Sequence, residues 1–162
     1  MGNPKVYLAG GITGLSYGDA RFGWRHEAIT KLDACGITGL SPMRGMDHLK
    51  GESSLPKLGC EEGSMERYER ARAITSRDRL DLTTSDMVLF MLNTPQLSAG
   101  SCIELGWADI LRIPVVAVLP ELLDDGEPNP HYHAMALDII GWRCETLDEA
   151  LRVIVGALSA GV

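Results

Sequence analysis

The sequence predicts an α/β fold: a doubly wound, mostly parallel five-stranded sheet with helices on both faces, built by residues 1–162 as a single domain. Three observations predict it. Short β-prone segments alternate with helical ones across brief joints, the pattern that makes parallel sheets through crossover connections. Ile113–Leu119 is apolar throughout, as a strand covered on both faces should be. And 162 residues suffice to bury roughly two thirds of the unfolded surface in one core.

The elements follow in order. Lys5–Ala9 is a first strand that runs into Gly10-Gly11, a tight loop. Asp19–Ala34 reads as a helix with Phe22, His26, Ile29 and Leu32 on its buried face, stopped by Gly36. Ile37–Leu40 is a second strand, closed by Ser41-Pro42. Met43–Gly63 is rich in Gly, Ser, Pro and charge without periodicity, and a segment that long inside a domain is usually a functional loop or partly disordered. Ser64 is suited to cap a helix running to about Thr83, with Tyr68, Ala71, Ile74 and Leu82 as its apolar positions. Asp86–Leu92 is the third strand, the helix after Ser101 runs to Arg112, and Ile113–Leu119 is the fourth strand. After a turn-rich stretch over Pro120–Pro130 come a short helix over His131–Ile139 and a last strand over Gly141–Cys144. The terminal helix, Leu147–Leu158, has Thr146 as its cap and Glu149 completing an approximate capping box.

Charge and cysteine content narrow the function. With 15 basic and 22 acidic residues, a net charge of −7 and an isoelectric point near 5.0, the chain lacks the basic stripe with which a protein displaces counterions from a nucleic-acid polymer. A free nucleotide is compatible with this balance, since one or two arginines and backbone N–H groups can hold a single phosphate. The four cysteines form no CxxC pair and no secretory leader precedes them, so reduced thiols in a cytoplasm are expected. No apolar run approaches the roughly 20 residues of a membrane span.

The richest segment is Ser98–Ala108, Ser-Ala-Gly-Ser-Cys-Ile-Glu-Leu-Gly-Trp-Ala, directly after the apolar strand Met87–Leu92. It reads as a loop of small residues, Ser98 to Ser101, with Glu104 in the first turn of the helix behind it. That is where open α/β sheets bind ligands, beyond the carboxyl ends of their strands. An acid in a first helical turn also has a plain role, complementing the helix dipole for about 0.3–1 kcal/mol. Gly100 and Gly106 keep bulk away from the carboxylate, and Ser98 and Ser101 add hydroxyls suited to hydroxyl or phosphate oxygens.

Other positions carry weaker signals. Asp78, Asp81 and Asp86 compete in Arg77–Asp86: Asp86 as a turn residue, Asp81 as a solvated partner of Arg77 and Arg79, Asp78 as a group that could face the strand ends. Tyr7, on the first strand before the glycines, reads first as a half-buried aromatic. Arg21 and Arg25 follow the glycine loop, and one of them could meet a phosphate. His26 reads as structural, and Cys102 as small-residue packing. His131 and His133 lack the spacing of a zinc helix, and no metal is expected.

With these positions in hand, the chain resembles the nucleoside 2-deoxyribosyltransferase superfamily, which includes nucleoside transferases and nucleoside 5′-monophosphate N-glycosidases. The resemblance spans most of the chain and rests on Val6-Tyr7-Leu8-Ala9-Gly10-Gly11-Ile12, on Asp78 eight residues ahead of Asp86, on Gly100–Ala108 and on Pro114-Val115-Val116. It implies a flavodoxin-like fold and cleavage of an N-glycosidic bond without a cofactor. Glu104 matches the family nucleophile, Asp78 the acid that handles the departing base, and Tyr7 an aromatic that orients the nucleophile. Gly10, Gly11, Ile12, Gly100 and Ser101 fall among the substrate contacts. Some nucleoside transferases carry an acid six positions before the nucleophile; here it is Ser98, as in the monophosphate hydrolases, where a serine accommodates a phosphate that a carboxylate would repel. Asn129–Met135 resembles the piece a neighbouring subunit contributes to the site, with Asn129 and His133 as contacts, so a homo-oligomer with shared active sites is implied.

The resulting expectation is an N-glycosidase acting on a (deoxy)nucleoside 5′-monophosphate. Base exchange between deoxynucleosides is its first competitor. A cytokinin-activating type of phosphoribohydrolase is a poorer match, lacking its Pro-Gly-Gly-x-Gly-Thr loop here. The same fold could also serve as a non-catalytic nucleotide sensor.

Overall fold

The computed structural model describes residues 2–55 and 65–159. The elements are β1 (Lys5–Gly10), α1 (Tyr17–Phe22), α2 (Trp24–Asp33), β2 (Thr38–Leu40), α3 (Met65–Thr83), β3 (Met87–Met91), α4 (Ala99–Ile110), β4 (Val115–Val118), α5 (Ala134–Ile139), β5 (Trp142–Cys144) and α6 (Leu147–Ser159), with a short 3-10 turn at Asp47–Leu49. The five strands lie in the order β2-β1-β3-β4-β5, and every pairing is parallel. This is the flavodoxin-like order, in which chain direction across the sheet reverses between β1 and β3 and opens a crevice beyond their carboxyl ends.

Alternation along the strands divides the core. Val6, Leu8, Met87, Leu89, Val116 and Val118 face Ala28 and Leu32 of α2 and Ala150, Leu151 and Ile154 of α6. Tyr7, Ala9, Val88, Phe90 and Ala117 face the other way, onto Leu82 of α3 and Leu105 and Ala108 of α4. Each large aliphatic side chain so buried contributes about 1.5–3 kcal/mol. The period of two thus sends Tyr7 to the same side of the sheet as α3 and α4.

The single helix expected over Asp19–Ala34 is two. The Gly23 N–H donates to the Asp19 carbonyl at 3.0 Å, and the chain turns there before α2 begins. A Cβ on Gly23 would lie 2.5 Å from that same backbone oxygen. Gly23→Ala is therefore expected to destabilise the fold by about 1–3 kcal/mol, read as a lower urea midpoint; an unchanged midpoint would contradict it.

The break also re-aims α2. Phe22 is 61 % exposed and His26 is exposed, the two rings meeting edge to face, while Arg25, Ala28 and Leu32 form the buried stripe. His26 is thus a surface residue, not the buried one its spacing suggested. Arg25 is inside because its guanidinium serves backbone carbonyls: Nη2 donates to Gly10 at 2.7 Å, Nε to Leu8 at 3.3 Å and Nη1 to Ala20 at 3.5 Å. Elsewhere the expected elements recur with ends shifted by a few residues, and α6 keeps its box, the Glu149 N–H donating to Thr146 Oγ1 and the Glu149 carboxylate accepting from the Glu145 N–H. The Ser64 cap, the side chains of Tyr68 and Ala71, and residues 56–63 of the long loop lie outside the described residues.

Candidate active site

Ser98 caps α4, its Oγ accepting from the Ser101 N–H at 3.2 Å, so the small residues Ala99 to Ser101 are the helix's first turn and Glu104 lies in its second. The reason is local: a capping hydroxyl starts the helix despite the poor propensity of glycine and serine. Dipole complementation at the first turn therefore no longer accounts for Glu104.

Glu104 instead has a specific partner. The Tyr7 hydroxyl, on β1, donates to Glu104 Oε1 at 2.7 Å, across the β1/β3 crevice and 97 residues away in sequence. Burial lifts the Glu104 carboxyl to about 7; the Tyr7 hydrogen bond and the Arg25 charge pull it down, and the Asp78 charge adds to the rise. The Tyr7 phenol is pushed far above its ordinary value, chiefly by burial and then by the charges of Glu104 and Asp78. It stays a protonated donor at every physiological pH. Burial draws the Arg25 guanidinium down to about 10, which leaves it cationic behind the site.

Asp78 approaches from α3, close enough for its charge to bear on both Tyr7 and Glu104. Its side chain is only 14 % exposed, and burial raises its carboxyl, opposed by the hydrogen bond and charge of Arg77. Arg77 holds Asp78 Oδ1 through Nη2 at 2.9 Å and also donates to the carbonyls of Pro42 and Arg44. Arg44 in turn pairs with both oxygens of Asp81 at 2.9 Å. Asp81 is thus buried and paired with Arg44, not a solvated partner of Arg77 and Arg79. Asp86 accepts from the Lys5 N–H at 2.8 Å, 81 residues away in sequence, and so ties the start of β1 to the start of β3 rather than closing a local turn.

The glycine loop completes the crevice. A Cβ on Gly11 would meet Ser98 at 3.6 Å, so the β1 loop and the start of α4 face one another. A Cβ on Gly10 would crowd Trp24, Arg25 and Met91 at 3.2–3.3 Å. Ile12 packs on the small cluster of Tyr17, Ala20, Met43, Met46 and Leu55, and Arg21 donates to the Met43 carbonyl. Ser101 is buried and gives its hydroxyl to Ser98 Oγ at 3.0 Å. Gly100 lies in the same turn, while Cys102 is exposed rather than packed.

His133 is exposed and caps α5, its Nδ1 accepting from the Met135 N–H. Asn129 and His131 are both buried, and both are hydrogen-bonded within their own chain. Arg77 and His131 are the site-bordering residues that sequence reasoning missed. Arg77 grips its neighbour Asp78 and also the distant Pro42 and Arg44 carbonyls, and His131 joins nearby Asn129 to the distant Ser98 N–H, contacts that no spacing in the sequence signals.

A family model described as nucleoside 2-deoxyribosyltransferase matches residues 6–145. The chain belongs to the nucleoside 2-deoxyribosyltransferase family. As a member it is an enzyme of the group that transfers or hydrolyses nucleoside glycosyl bonds. Solved structures with the same fold include a 2-deoxyribosyltransferase from Bacillus psychrosaccharolyticus, 20 % identical at a TM-score of 0.58 and covering 91 % of this chain and 90 % of that one. Another is a 2-desoxiribosyltransferase from Leishmania mexicana, 14 % identical at 0.57, covering 94 % and 97 %. A CMP N-glycosidase from Clostridium botulinum is 13 % identical at 0.51, covering 93 % and 96 %. No curated protein sequence matches the chain.

Proposed function

We propose that this deoxyribosyltransferase-family enzyme belongs to the nucleoside 5′-monophosphate N-glycosidase branch and hydrolyses the base–sugar bond of a (deoxy)nucleotide with Glu104 as nucleophile. The observation that carries the chemistry is the half-buried Glu104 carboxylate held by Tyr7 at 2.7 Å in the β1/β3 crevice. Tyr7 engages Oε1, leaving Oε2 to attack the anomeric carbon. As the C1′–N bond breaks, its electron pair passes to the base, and Asp78 gives a proton to a ring nitrogen. Water then attacks C1′ of the glycosyl-enzyme, returning its proton to Asp78 and freeing Glu104, as in retaining glycosidases.

The phosphate is assigned to Ser98. Its Oγ already accepts two hydrogen bonds from Ser101, so its own O–H is left as a donor, beside Gly11. A donor suits an anionic oxygen, whereas a carboxylate in that position would repel it. Arg21 and His133 are the further contacts we propose at the phosphate end. Arg25, Ser101 and Asn129 support the pocket walls through bonds to their own chain, and reach the substrate only through the groups they hold.

The enzyme is proposed to act as a homo-oligomer. Exposed Ile103 and Ile110 on α4, Leu111 at its C-cap, Leu80 on α3 and Met135 on α5 give the α3–α5 side of the sheet an apolar surface of the kind that marks association. Sedimentation equilibrium reads this directly, and a monomer at micromolar concentration would contradict it. Among the described residues no helix is long and apolar enough to cross a membrane. A cytoplasmic setting fits the free thiols of Cys35, Cys102 and Cys144.

Incubation with deoxynucleotides, with and without a second base, tests the reaction. Free base and sugar phosphate are expected in both cases; efficient exchange on unphosphorylated nucleosides would establish base transfer instead. Because the carboxylate is the attacking form, kcat/KM is expected to rise with pH through about 7. Tyr7→Phe removes the hydrogen bond that favours the charged form, so that limb should move to higher pH. A limb left in place by Tyr7→Phe would contradict the assignment.

A further inference from the structure

Asn129 and His131 form a hydrogen-bond chain whose polarity is fixed by its ends. Asn129 Nδ2 donates to the Leu92 carbonyl at 2.8 Å and the Pro120 carbonyl at 2.9 Å, the backbone just beyond β3 and β4. Its Oδ1 is therefore an acceptor on both remaining sides, towards the His131 N–H at 2.9 Å and His131 Nδ1 at 3.3 Å. Nδ1 must then carry the proton. The other ring nitrogen, Nε2, accepts from the Ser98 N–H at 3.3 Å, which requires its lone pair. Only the neutral imidazole protonated at Nδ1 satisfies every partner. Asn129 and His131 are each about 4 % exposed, so the bond between their side chains is buried, and the one to Ser98 is partly so.

The consequence lies at Ser98. Its N–H precedes the first turn of α4 and has no place in the helix ladder; its hydroxyl is the donor assigned above to the phosphate. A group that fixes the Ser98 backbone also fixes where that hydroxyl points. We propose that His131 is a positioning residue which, as the Nδ1-protonated imidazole anchored by Asn129, holds Ser98 against the strand ends and so sets the phosphate subsite. This rests on the reading that Ser98 meets the substrate phosphate.

The substrate for the test is the 5′-monophosphate cleaved fastest among the four common 2′-deoxynucleotides, compared with its own dephosphorylated nucleoside. His131→Leu removes the acceptor and is expected to raise KM for the monophosphate by about 10–100-fold, the effect of losing alignment of one hydrogen bond to a charged group, with kcat less affected and the KM of the nucleoside within about twofold. His131→Gln, whose amide oxygen can accept from the Ser98 N–H, is expected to restore most of the monophosphate KM. Equal losses on both substrates, or no loss, would overturn the positioning role. Nitrogen-15 spectra of the wild-type imidazole supply a readout independent of activity: Nδ1 protonated and Nε2 bare is expected, and the opposite tautomer or an imidazolium at neutral pH overturns the proposal. A wild-type enzyme with no preference for the monophosphate would overturn the phosphate assignment of Ser98 itself, which the nitrogen spectra do not touch, so the two failures are told apart.

Discussion

Glu104→Gln is expected to lower kcat by about a thousandfold or more, because a neutral amide can neither bond to nor stabilise an oxocarbenium-like anomeric centre. Substrate binding should largely survive, since glutamine keeps the shape and an oxygen able to accept from Tyr7. The measurement is single-turnover base release beside the thermal shift that a nucleotide induces. The same change is expected to stabilise the protein above neutral pH. The folded carboxyl titrates at about 7 against an ordinary value of 4.5, so between these values the native state holds a proton the unfolded chain has released. Its stabilising contribution is complete below about pH 4.5 and is lost as pH rises through about 7, a difference of about 3 kcal/mol by pH 8. Removing the buried charge should therefore raise Tm at pH 8. Retained turnover in Glu104→Gln, or a lower Tm at pH 8, would show that the carboxylate is not a nucleophile held at a cost in stability.

Asp78→Asn is expected to cost about 10²–10⁴-fold in kcat, the usual contribution of a positioned acid, and the loss should depend on the base. A nucleotide whose purine carries a methyl group on N7 is already cationic and leaves without a proton, so the variant should cleave it nearly as fast as wild type does. The comparison of methylated and unmethylated purines, assayed side by side, checks this. If both lose equally, Asp78 acts on Glu104 through its charge or on the pocket through Arg77, and not on the base.

The fold was legible because its signals are local. Apolar runs such as Met87–Leu92 and Ile113–Leu119, alternating with helices, leave little besides a parallel sheet. The errors lie where a local pattern meets a distant partner. Phe22 and His26 fit a buried stripe by spacing, yet Arg25 takes the inner face because the Leu8, Gly10 and Ala20 carbonyls need a donor there. Ala99-Gly100-Ser101 has the composition of a loop and becomes a helical turn because Ser98 caps it. Asp81 beside two arginines in sequence finds its cation on another segment, at Arg44. At the candidate site, motif resemblance singled out Glu104, Asp78 and Tyr7 as expectations, and the pairing of Tyr7 with Glu104 is the part the geometry adds. Arg77 and His131 were not readable, since besides a near partner, Asp78 or Asn129, each depends on a bond across 33 or more residues.

The double displacement through Glu104 is tested most directly by the stereochemistry of the sugar. Turnover of a 5′-monophosphate in methanol-containing buffer converts part of the glycosyl group to a methyl glycoside, an acetal that cannot mutarotate and whose anomeric configuration proton spectra report. Two inversions, one by Glu104 and one by the acceptor, predict a product with the configuration of the substrate. A methyl glycoside of inverted configuration would mean that the acceptor attacks the nucleotide directly and that Glu104 is not the nucleophile.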